Sequence, residues 1–137
     1  MLRTLTIVLL AVASSSLAGE PLRIIDGDGF ELNGENVRLW GIDAPEMDQQ
    51  CSRDGETFQC GAFAKDMLAA LIGSDIPDCE KVDTDRYKRT IARCTVGGRD
   101  LGSLMVQSGW AVDFTRYSRG HYAFEGTTAK DAQHFHA

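Results

Sequence analysis

The chain has 137 residues and a mass of 15.0 kDa, which is enough for one domain and too short for two ordinary ones. Hydrophobic residues make up 43% of it and charged residues 25%, which is the composition of a globular protein and excludes a disordered or collagen-like chain. The net charge of -6 and the pI of about 4.9 exclude binding of nucleic acid through an overall positive field. Any contact with nucleic acid must use a local group of cations.

The first 18 residues have the pattern of a secretion signal. Arg3 supplies a positive charge, an apolar run broken only by Thr6 covers 5–13, and Ser16 and Ala18 are the small residues that signal peptidase requires. The run is about half the ~20 apolar residues of a membrane-spanning helix. We predict a signal peptide over 1–18, cleaved after Ala18, and a secreted or periplasmic domain over 19–137 without stable membrane association. An uncleaved amphiphilic helix is the alternative.

Four cysteines make a disulfide framework possible in an exported protein. They are Cys51, Cys60, Cys79 and Cys94. Three connectivities exist, and the absence of CxxC pairs and of finger-spaced histidines makes zinc a poor explanation. The first two cysteines flank one polar loop, and a hairpin centred between Arg86 and Tyr87 places position 79 opposite position 94. The pairing Cys51–Cys60 and Cys79–Cys94 is therefore favoured, both over the other connectivities and over four free thiols.

A meander of three short strands is predicted for the first part of the chain. The strand-like runs cover 22–25, 30–32 and 37–40, with turn residues at 26–29 and the hairpin signal Asn33-Gly34 between them. Pro45 stops the third strand, and 47–59 is polar and loop-like.

The second part predicts a helix, a hairpin and two further helices. A stripe of Ala64, Leu68, Leu71 and Ile72 indicates a helix over 61–72 that ends at Gly73. The arms of the hairpin are 76–82 and 91–96, Asp100 caps a helix over 101–108, and the last helix spans 122–135. Five strands and three helices favour a mainly β, α+β domain built on a five-stranded barrel.

Acidic residues and one arginine cluster between 26 and 46. Asp28 lies in a glycine turn and Asp43 at a strand end, so the two carboxylates converge if the strands pair as predicted. With a backbone carbonyl and waters they form the hard oxygen set that suits Ca²⁺. Taken alone, the Asp-Gly-Asp-Gly turn is more often solvated and Arg38 more often a surface residue, and Phe30 excludes an EF-hand loop. The combination is what indicates a site.

A second charged group lies at the hairpin tip over 83–89. Such tips are common in soluble β proteins, and a solvated tip is the plain explanation. The functional alternative is that Arg89 offers its guanidinium fork to a phosphate, with Tyr87 beside it as a stacking surface.

Four ordered blocks resemble the staphylococcal nuclease (thermonuclease) family. They are IDGD at 25–28, VRLWGIDAPE at 37–46, DRYKRTIA at 85–92 and GWA at 109–111. The resemblance covers about residues 22–132. It implies a five-stranded OB-type barrel with three helices and a Ca²⁺-dependent phosphodiesterase that acts on DNA and RNA. Single strands or frayed duplex are the expected substrates, because the phosphate must enter a cleft and bases stack on tyrosine. The resemblance also implies cleavage at the 5′ oxygen, which leaves 3′-phosphates.

The resemblance also assigns roles to individual residues. It matches Asp28, Asp43 and the Ala44 carbonyl to the Ca²⁺ ligands, Glu46 to the general base or water-orienting group, Arg38 and Arg89 to the phosphate-binding arginines, Tyr87 and Tyr117 to tyrosines near the nucleotide, and Asp26 to a nearby acid that is not a ligand. Gly29 stands where the family usually has Thr, and Lys88 stands where it usually has Gly. The family's closing Gly and Trp are missing, so a truncated C-terminus is expected.

Two other functions stay open beside an active, monomeric nuclease. One is a catalytically weak or inactive OB-type module that binds nucleic acid. The other is a disulfide-stapled OB module for sugars or protein partners, which the acidic surface would suit.

Overall fold

A curled sheet of short strands organises the fold. A computed structural model describes residues 20–125, so the predicted signal peptide and most of the last predicted helix lie outside the described residues. In chain order the elements are β1 (Leu22–Ile24), β2 (Gly29–Leu32), β3 (Glu35–Leu39), β4 (Ile42–Asp43), β5 (Cys51–Arg53), β6 (Glu56–Phe58), α1 (Cys60–Ile72), β7 (Asp78–Thr84), β8 (Thr90–Val96), β9 (Arg99–Asp100), α2 (Leu101–Gln107), β10 (Val112–Asp113) and α3 (Thr115–Ser118).

The main sheet has the order β1-β2-β3-β8-β7, and β9 pairs with β8. The β3–β8 pair is parallel and the other neighbours are antiparallel. Two small sheets, β4–β10 and β5–β6, lie apart from it. The five strands of the main order are the five that the sequence predicts, and the mainly β, α+β, OB-type class is confirmed.

Alternate residues of β3 and β8 pack into the core. Val37 and Leu39 of β3 are buried, as are Ala92, Cys94 and Val96 of β8. Successive residues of a strand point to opposite sides, so the residues between them, Arg38 among them, face away from this core. Leu68 and Ile72 of α1 and Leu101, Met105 and Val106 of α2 cover the buried side.

Helix α1 begins against the segment that follows Pro45. A Cβ added to Gly61 would lie 1.8 Å from the carbonyl oxygen of Glu46 and 2.7 Å from that of Met47, so only glycine permits this approach. The N–H of Gly61 also donates to the carbonyl of Gln49 at 3.3 Å. The first turn of α1 is therefore packed directly on the stretch that carries Glu46.

The segment 47–59, predicted as a loop, is instead partly a hairpin. Strands β5 and β6 pair around Asp54 and Gly55, which have φ angles of 52° and 83°. Two central residues with positive φ make a two-residue turn of the I′ type, for which Asp-Gly is a preferred sequence. The short strands β4, β9 and β10 and the helix α3 were also not predicted.

The other predicted boundaries shift by one or two residues. Asp100 caps α2 as predicted, and its side chain accepts the N–H of Ser103 at 2.7 Å. Residues 123–125 are helical, so the described part of the last helix starts one residue later than predicted. No helix within residues 20–125 has both the length and the apolar character needed to cross a bilayer.

Both disulfides join the cysteines that the sequence pairs, Cys51 with Cys60 and Cys79 with Cys94. Cys79 lies directly opposite Cys94 in the β7–β8 register. The register shifts between Lys81 and Asp83, so this hairpin is continuous but bulged. The first disulfide ties the β5–β6 hairpin to the start of α1.

The close approach at Gly61 gives a stability prediction. Gly61→Ala should lower the free energy of unfolding by about 1–3 kcal/mol, because the added methyl group forces the helix away from two backbone carbonyls. Urea unfolding followed by circular dichroism measures the change. Ala70→Ser, on the exposed side of the same helix, is the control and should change the stability by no more than about 0.5 kcal/mol. Equal stabilities of Gly61→Ala and wild type would contradict this packing.

Candidate active site

Two acidic residues meet at one arginine where β2, β3 and β4 come together. Gly29 pairs with Arg38 across β2 and β3, so Asp28 lies beside Arg38. The Nη2 of Arg38 donates to Oδ2 of Asp28 at 3.2 Å and to Oδ1 of Asp43 at 3.1 Å. The structure thus places Asp28, Arg38 and Asp43 in one group, which we call the carboxylate pair and its arginine.

Asp28 is held by the chain around it. Only 6% of the residue is exposed, and its Oδ2 also accepts the N–H of Ala44 at 3.0 Å. Its own N–H donates to Oδ1 of Asp26 at 3.1 Å. Asp26 therefore supports the turn that carries Asp28.

Gly27 and Gly29 of this turn each lack room for a side chain, for different steric reasons. A Cβ at Gly27 would lie 2.7 Å from the Cβ of Ala64 and 2.8 Å from that of Ala44, so the turn is pressed between α1 and the site segment. A Cβ at Gly29 would lie 2.9 Å from Oδ1 of Asp26. Threonine, the usual family residue at position 29, would have to displace the Asp26 side chain here.

Burial dominates the electrostatics of the group. Desolvation raises the pKa of Asp28 to about 7, although the Arg38 charge and the N–H of Ala44 both favour the ionised form. For Arg38, burial acts in the opposite direction, but attraction by Asp28 and the hydrogen bond to Asp43 hold its pKa above the ordinary value. The pair therefore gains from any cation that lies between its oxygens.

The oxygen ligands fit a hard cation such as Ca²⁺, with a partial protein ligand set. Oδ2 of Asp28 and Oδ1 of Asp43 both accept from one nitrogen atom, Nη2 of Arg38, at 3.2 and 3.1 Å, and carboxylate oxygens are the donor type that Ca²⁺ takes. Within residues 20–125 no group of three or more His, Cys, Asp or Glu residues could hold a metal. The remaining ligands would be carbonyl oxygens and waters, as the sequence analysis expects.

Glu46 lies three residues after Asp43, on the loop that packs against α1. Its N–H donates to Oε1 of Gln49 at 3.3 Å, and its carbonyl accepts the N–H of Gln49 at 2.9 Å. Its carboxylate is exposed and makes no ion pair or hydrogen bond within the described part of the chain. The backbone of Glu46 is fixed while its side chain remains available.

The GWA block at 109–111 leads into a strand that holds Asp43. In the β4–β10 pair, Val112 lies opposite Asp43 and Asp113 opposite Ile42. The N–H of Phe114 donates to the carbonyl of Gly41 at 2.8 Å. This pairing of two short strands fixes the direction of the chain at Asp43. The GWA block is therefore linked to the site although it lies far along the sequence.

Phe114 is a neighbour of Tyr117 that the sequence analysis missed. The two rings meet edge to face with centroids 4.8 Å apart, and 56% of Tyr117 is exposed. Oδ1 of Asp113 accepts the hydroxyl of Ser118, whereas its Oδ2 is buried without a hydrogen-bond partner within residues 20–125. In the sequence, Phe114 could have been identified as an aromatic residue close to the GWA block, five positions after Gly109.

The second group, at the β7–β8 tip, is organised by Asp85. Its Oδ1 accepts the N–H groups of Tyr87 and Arg89, both at 2.9 Å, and its Oδ2 accepts Nε of Arg89 at 2.7 Å. Slight desolvation opposes these bonds, but the Arg89 N–H and guanidinium together lower the pKa of Asp85. The sequence analysis did not assign this positioning role, although Asp followed two residues later by a bonded N–H is a common turn pattern.

Tyr87 is an exposed ring between two arginines. It is 66% exposed, and the guanidinium carbons of Arg86 and Arg89 lie 4.8 and 5.6 Å from its centroid. Lys88, where the family usually has glycine, has a φ of 64°, so it adopts the left-handed conformation that glycine would adopt without strain.

The parallel pairing of β3 and β8 brings the two groups to one region of the sheet. Arg38 lies opposite Ile91, and Arg89 precedes Ile91 by two residues. Arg89 lies one residue before β8 begins, and the first residue of β8, Thr90, pairs with Val37 of β3. The sheet register thus places the carboxylate pair and the tip at neighbouring strand positions.

Comparison with known proteins identifies the family of the chain. Residues 36–134 match the family model described as staphylococcal nuclease homologue, a range that contains Arg38, Asp43, Glu46 and Arg89. The succinoglycan biosynthesis protein ExoI of Rhizobium meliloti (strain 1021) is 36% identical over 137 residues, 93% of this chain and 72% of that protein. Protein ParB of Escherichia coli is 33% identical over 123 residues, 79% of this chain and 64% of that protein.

The raised pKa of Asp28 gives a pH prediction for the metal-free protein. The unfolded chain loses this proton near pH 4 and the folded chain only near pH 7, so the native state binds more protons in between. Stability linked to Asp28 is then full below about pH 4 and is lost as the pH rises through about 7. Asp28→Asn should remove this loss, so that it gains stability relative to wild type from pH 4 to pH 8.

Urea unfolding in EDTA, repeated across that pH range, measures the difference. Asp66→Asn, an exposed acid on α1, is the control and should leave the wild-type pH profile unchanged. A constant difference between Asp28→Asn and wild type at every pH would contradict the raised pKa.

Proposed function

Because this chain belongs to the staphylococcal nuclease homologue family, we propose that it is an exported, Ca²⁺-dependent phosphodiesterase that cleaves single-stranded DNA or RNA. The observation that carries the proposal is the bridging of Asp28 and Asp43 by Arg38. It brings a pair of carboxylates and a guanidinium fork, the groups that a phosphodiester and a divalent cation require, into direct contact.

Asp28 and Asp43 would hold Ca²⁺, with the Ala44 carbonyl and waters as further ligands. When bound there, Ca²⁺ would polarise a phosphoryl oxygen and hold the substrate in place. Both carboxylates must then be ionised, and the charge of the ion would replace the guanidinium charge that they share in the free protein. Arg38 would thereby become available to a phosphate oxygen.

Glu46 is the proposed base. Its carboxylate is exposed and unbonded within the described residues, while its backbone is fixed by Gln49 and by the start of α1. An ionised carboxylate in this position accepts a hydrogen bond from water and orients it, or removes its proton, for in-line attack on phosphorus. Cleavage of the bond to the 5′ oxygen would leave a 3′-phosphate.

The two arginines would stabilise the charge that develops on the phosphate oxygens. Each guanidinium offers paired N–H donors in a fixed plane, which lysine does not. Arg89 keeps its terminal nitrogens for substrate because Asp85 engages it through Nε. Asp85 is therefore proposed as a positioning residue that sets the direction of the Arg89 fork.

Exposed aromatic rings favour the binding of strands whose bases are unpaired. Tyr87 is 66% exposed and Tyr117 is 56% exposed. Bases of a single strand can stack on such rings, and the stacking tolerates any sequence. A duplex would keep its bases within the helix and would offer them no partner.

Export is proposed on the sequence pattern of 1–18 and on the two disulfides. Both disulfides join cysteines within the described residues. Disulfides persist in secreted or periplasmic compartments and are rare in a reducing cytosol. Those compartments also supply Ca²⁺ at the high concentrations that a site with few protein ligands needs.

A nucleic-acid-binding module without catalysis is the second candidate. One observation favours it: Arg38 already satisfies both carboxylates, so the group is stable without any ion. The two candidates differ in whether a bound strand is cut.

Metal dependence is the test of the proposed function. The protein is incubated with a fluorescent single-stranded oligonucleotide in Ca²⁺ and, in parallel, in EDTA, and the products are separated by length. We expect cleavage in Ca²⁺ only, with 3′-phosphate ends that a phosphatase removes. Equal cleavage in both buffers, or binding without cleavage in Ca²⁺, would overturn the proposal, and the second result would support the binding module.

Replacement of Glu46 tests its role as the base. Glu46→Gln should lower kcat by about 10²–10⁴-fold, the usual contribution of a general base, while the Kd for a single-stranded oligonucleotide stays at the wild-type value. Glu80→Gln, an exposed position on β7, is the matched control with full activity. An undiminished kcat in Glu46→Gln would remove the residue from the mechanism.

A further inference from the structure

A cavity lies between the β5–β6 hairpin and the aromatic residues beside it. Its volume is about 400 Å³, and the residues that the argument uses are Arg53, Asp54, Glu56, Phe58, Phe63 and Trp110. We call this cavity the hairpin pocket. Its size falls in the range of about 300–1,000 Å³ that small-molecule sites occupy.

Three rings form one wall of the hairpin pocket. Phe63 and Trp110 are stacked, with centroids 5.6 Å apart and planes 22° from parallel. Phe58 meets both rings edge on, at 6.1 and 6.5 Å. Phe63 is 51% exposed although it is a large apolar residue, so this wall presents a flat aromatic surface to whatever enters.

The part of the pocket wall beside the hairpin turn carries both signs of charge. Arg53 lies directly opposite Glu56 in the hairpin register, and Asp54 is in the turn between them. Within residues 20–125 none of these three side chains makes an ion pair or a hydrogen bond, so their polar atoms are available to a ligand. The tight turn and the Cys51–Cys60 disulfide hold this wall in place before any ligand binds.

The hairpin pocket adjoins the proposed catalytic group through two backbone connections. The strand β10, which begins two residues after Trp110, pairs with Asp43. Gly61, two residues before Phe63, lies against the carbonyl of Glu46. Trp110 is therefore two residues along the chain from the strand that pairs with Asp43, and Phe63 is two residues from the residue that contacts Glu46.

We infer that the hairpin pocket binds a base of the single strand, next to the phosphate that is cut, and prefers guanine. The inference rests on the proposed function. A base stacks on aromatic rings through its π-face, Arg53 can donate its fork to the O6 and N7 acceptors of guanine, and Asp54 or Glu56 can accept the N–H groups of its other edge. The acidic pair disfavours phosphate, so the base enters and the backbone stays outside.

The test compares binding and cleavage of matched single strands. Four-residue oligonucleotides with guanine, adenine or no base beside one fixed phosphodiester are titrated in EDTA by fluorescence anisotropy, and their kcat/KM values are measured in Ca²⁺. Wild type should bind the guanine strand about tenfold more tightly than the abasic strand, which is the loss expected for one stacked base.

Two variants test whether the base preference arises in the hairpin pocket. Phe63→Ala should reduce the guanine-to-abasic ratio of Kd values to about one, and Arg53→Gln should remove the preference for guanine over adenine while stacking persists. Arg53 is an exposed hairpin residue, so its replacement tests the pocket even if Phe63→Ala is poorly folded. Ile76→Ala, at another exposed apolar position, is the control and should keep both ratios.

Several outcomes would overturn the inference. They are equal wild-type affinity for the guanine and abasic strands, unchanged ratios in both pocket variants, and displacement of the strand by a neutral oligosaccharide that binds more tightly in wild type than in Phe63→Ala. The last result would assign the pocket to sugars. Cleavage in Ca²⁺ with unaffected pocket variants rejects the subsite and keeps the nuclease, whereas base-dependent binding without cleavage rejects the nuclease and keeps the subsite.

Discussion

Arg38 lies between Asp28 and Asp43, and the burial of Asp28 sets the chemistry of the group. A carboxylate removed from water is costly unless a cation or hydrogen-bond donors replace the lost hydration. At Asp28 desolvation outweighs the arginine and the Ala44 N–H, and its pKa is raised. The group therefore needs positive charge between its oxygens. A guanidinium supplies that charge in the free protein, and in the proposed function a divalent ion would supply it while the arginine binds a phosphate.

Close backbone contacts hold this group to the rest of the fold. Gly27 allows the Asp28 turn to touch both α1 and Ala44, and Gly61 allows α1 to touch the carbonyl of Glu46. Helix α1 thus contacts both the turn that carries Asp28 and the segment that carries Glu46. Since packed interiors transmit displacement rather than absorb it, a shift of this helix would move Asp28 and Glu46 together. The relative positions of the proposed metal ligand and the proposed base depend on one helix.

The sequence predicted the elements whose signals are local and repeated. Alternation identified the strands of the main sheet, and the equal distances of Cys79 and Cys94 from one turn identified a disulfide. The β4–β10 pair escaped because strands of two residues are too short to show a period. The β5–β6 hairpin escaped because its polar strands do not alternate, although Asp54-Gly55 carried a turn signal.

The candidate site was predicted as a set of residues, and its contacts were not. The convergence of Asp28 and Asp43 followed from the predicted strand ends. That Arg38 would bridge them was not foreseen, because the partner of a long flexible side chain depends on tertiary geometry. The positioning role of Asp85 was missed for a related reason: in the sequence it is one more charge at a charged hairpin tip, and only the structure shows three N–H groups directed at it.

The ion pairs of the two arginines determine how the net charge of -6 affects the binding of a nucleic-acid strand. Each proposed phosphate-binding arginine is already matched, Arg38 by two carboxylates and Arg89 by Asp85. A free phosphate far from the site meets an acidic surface and paired cations, so long-range attraction contributes little to binding. A strand must then gain its affinity from close contacts: exchange of carboxylate for phosphate at Arg38, and stacking on exposed rings. Such a site discriminates by geometry and by unpaired bases, because a rigid duplex supplies charge in excess and offers no free base.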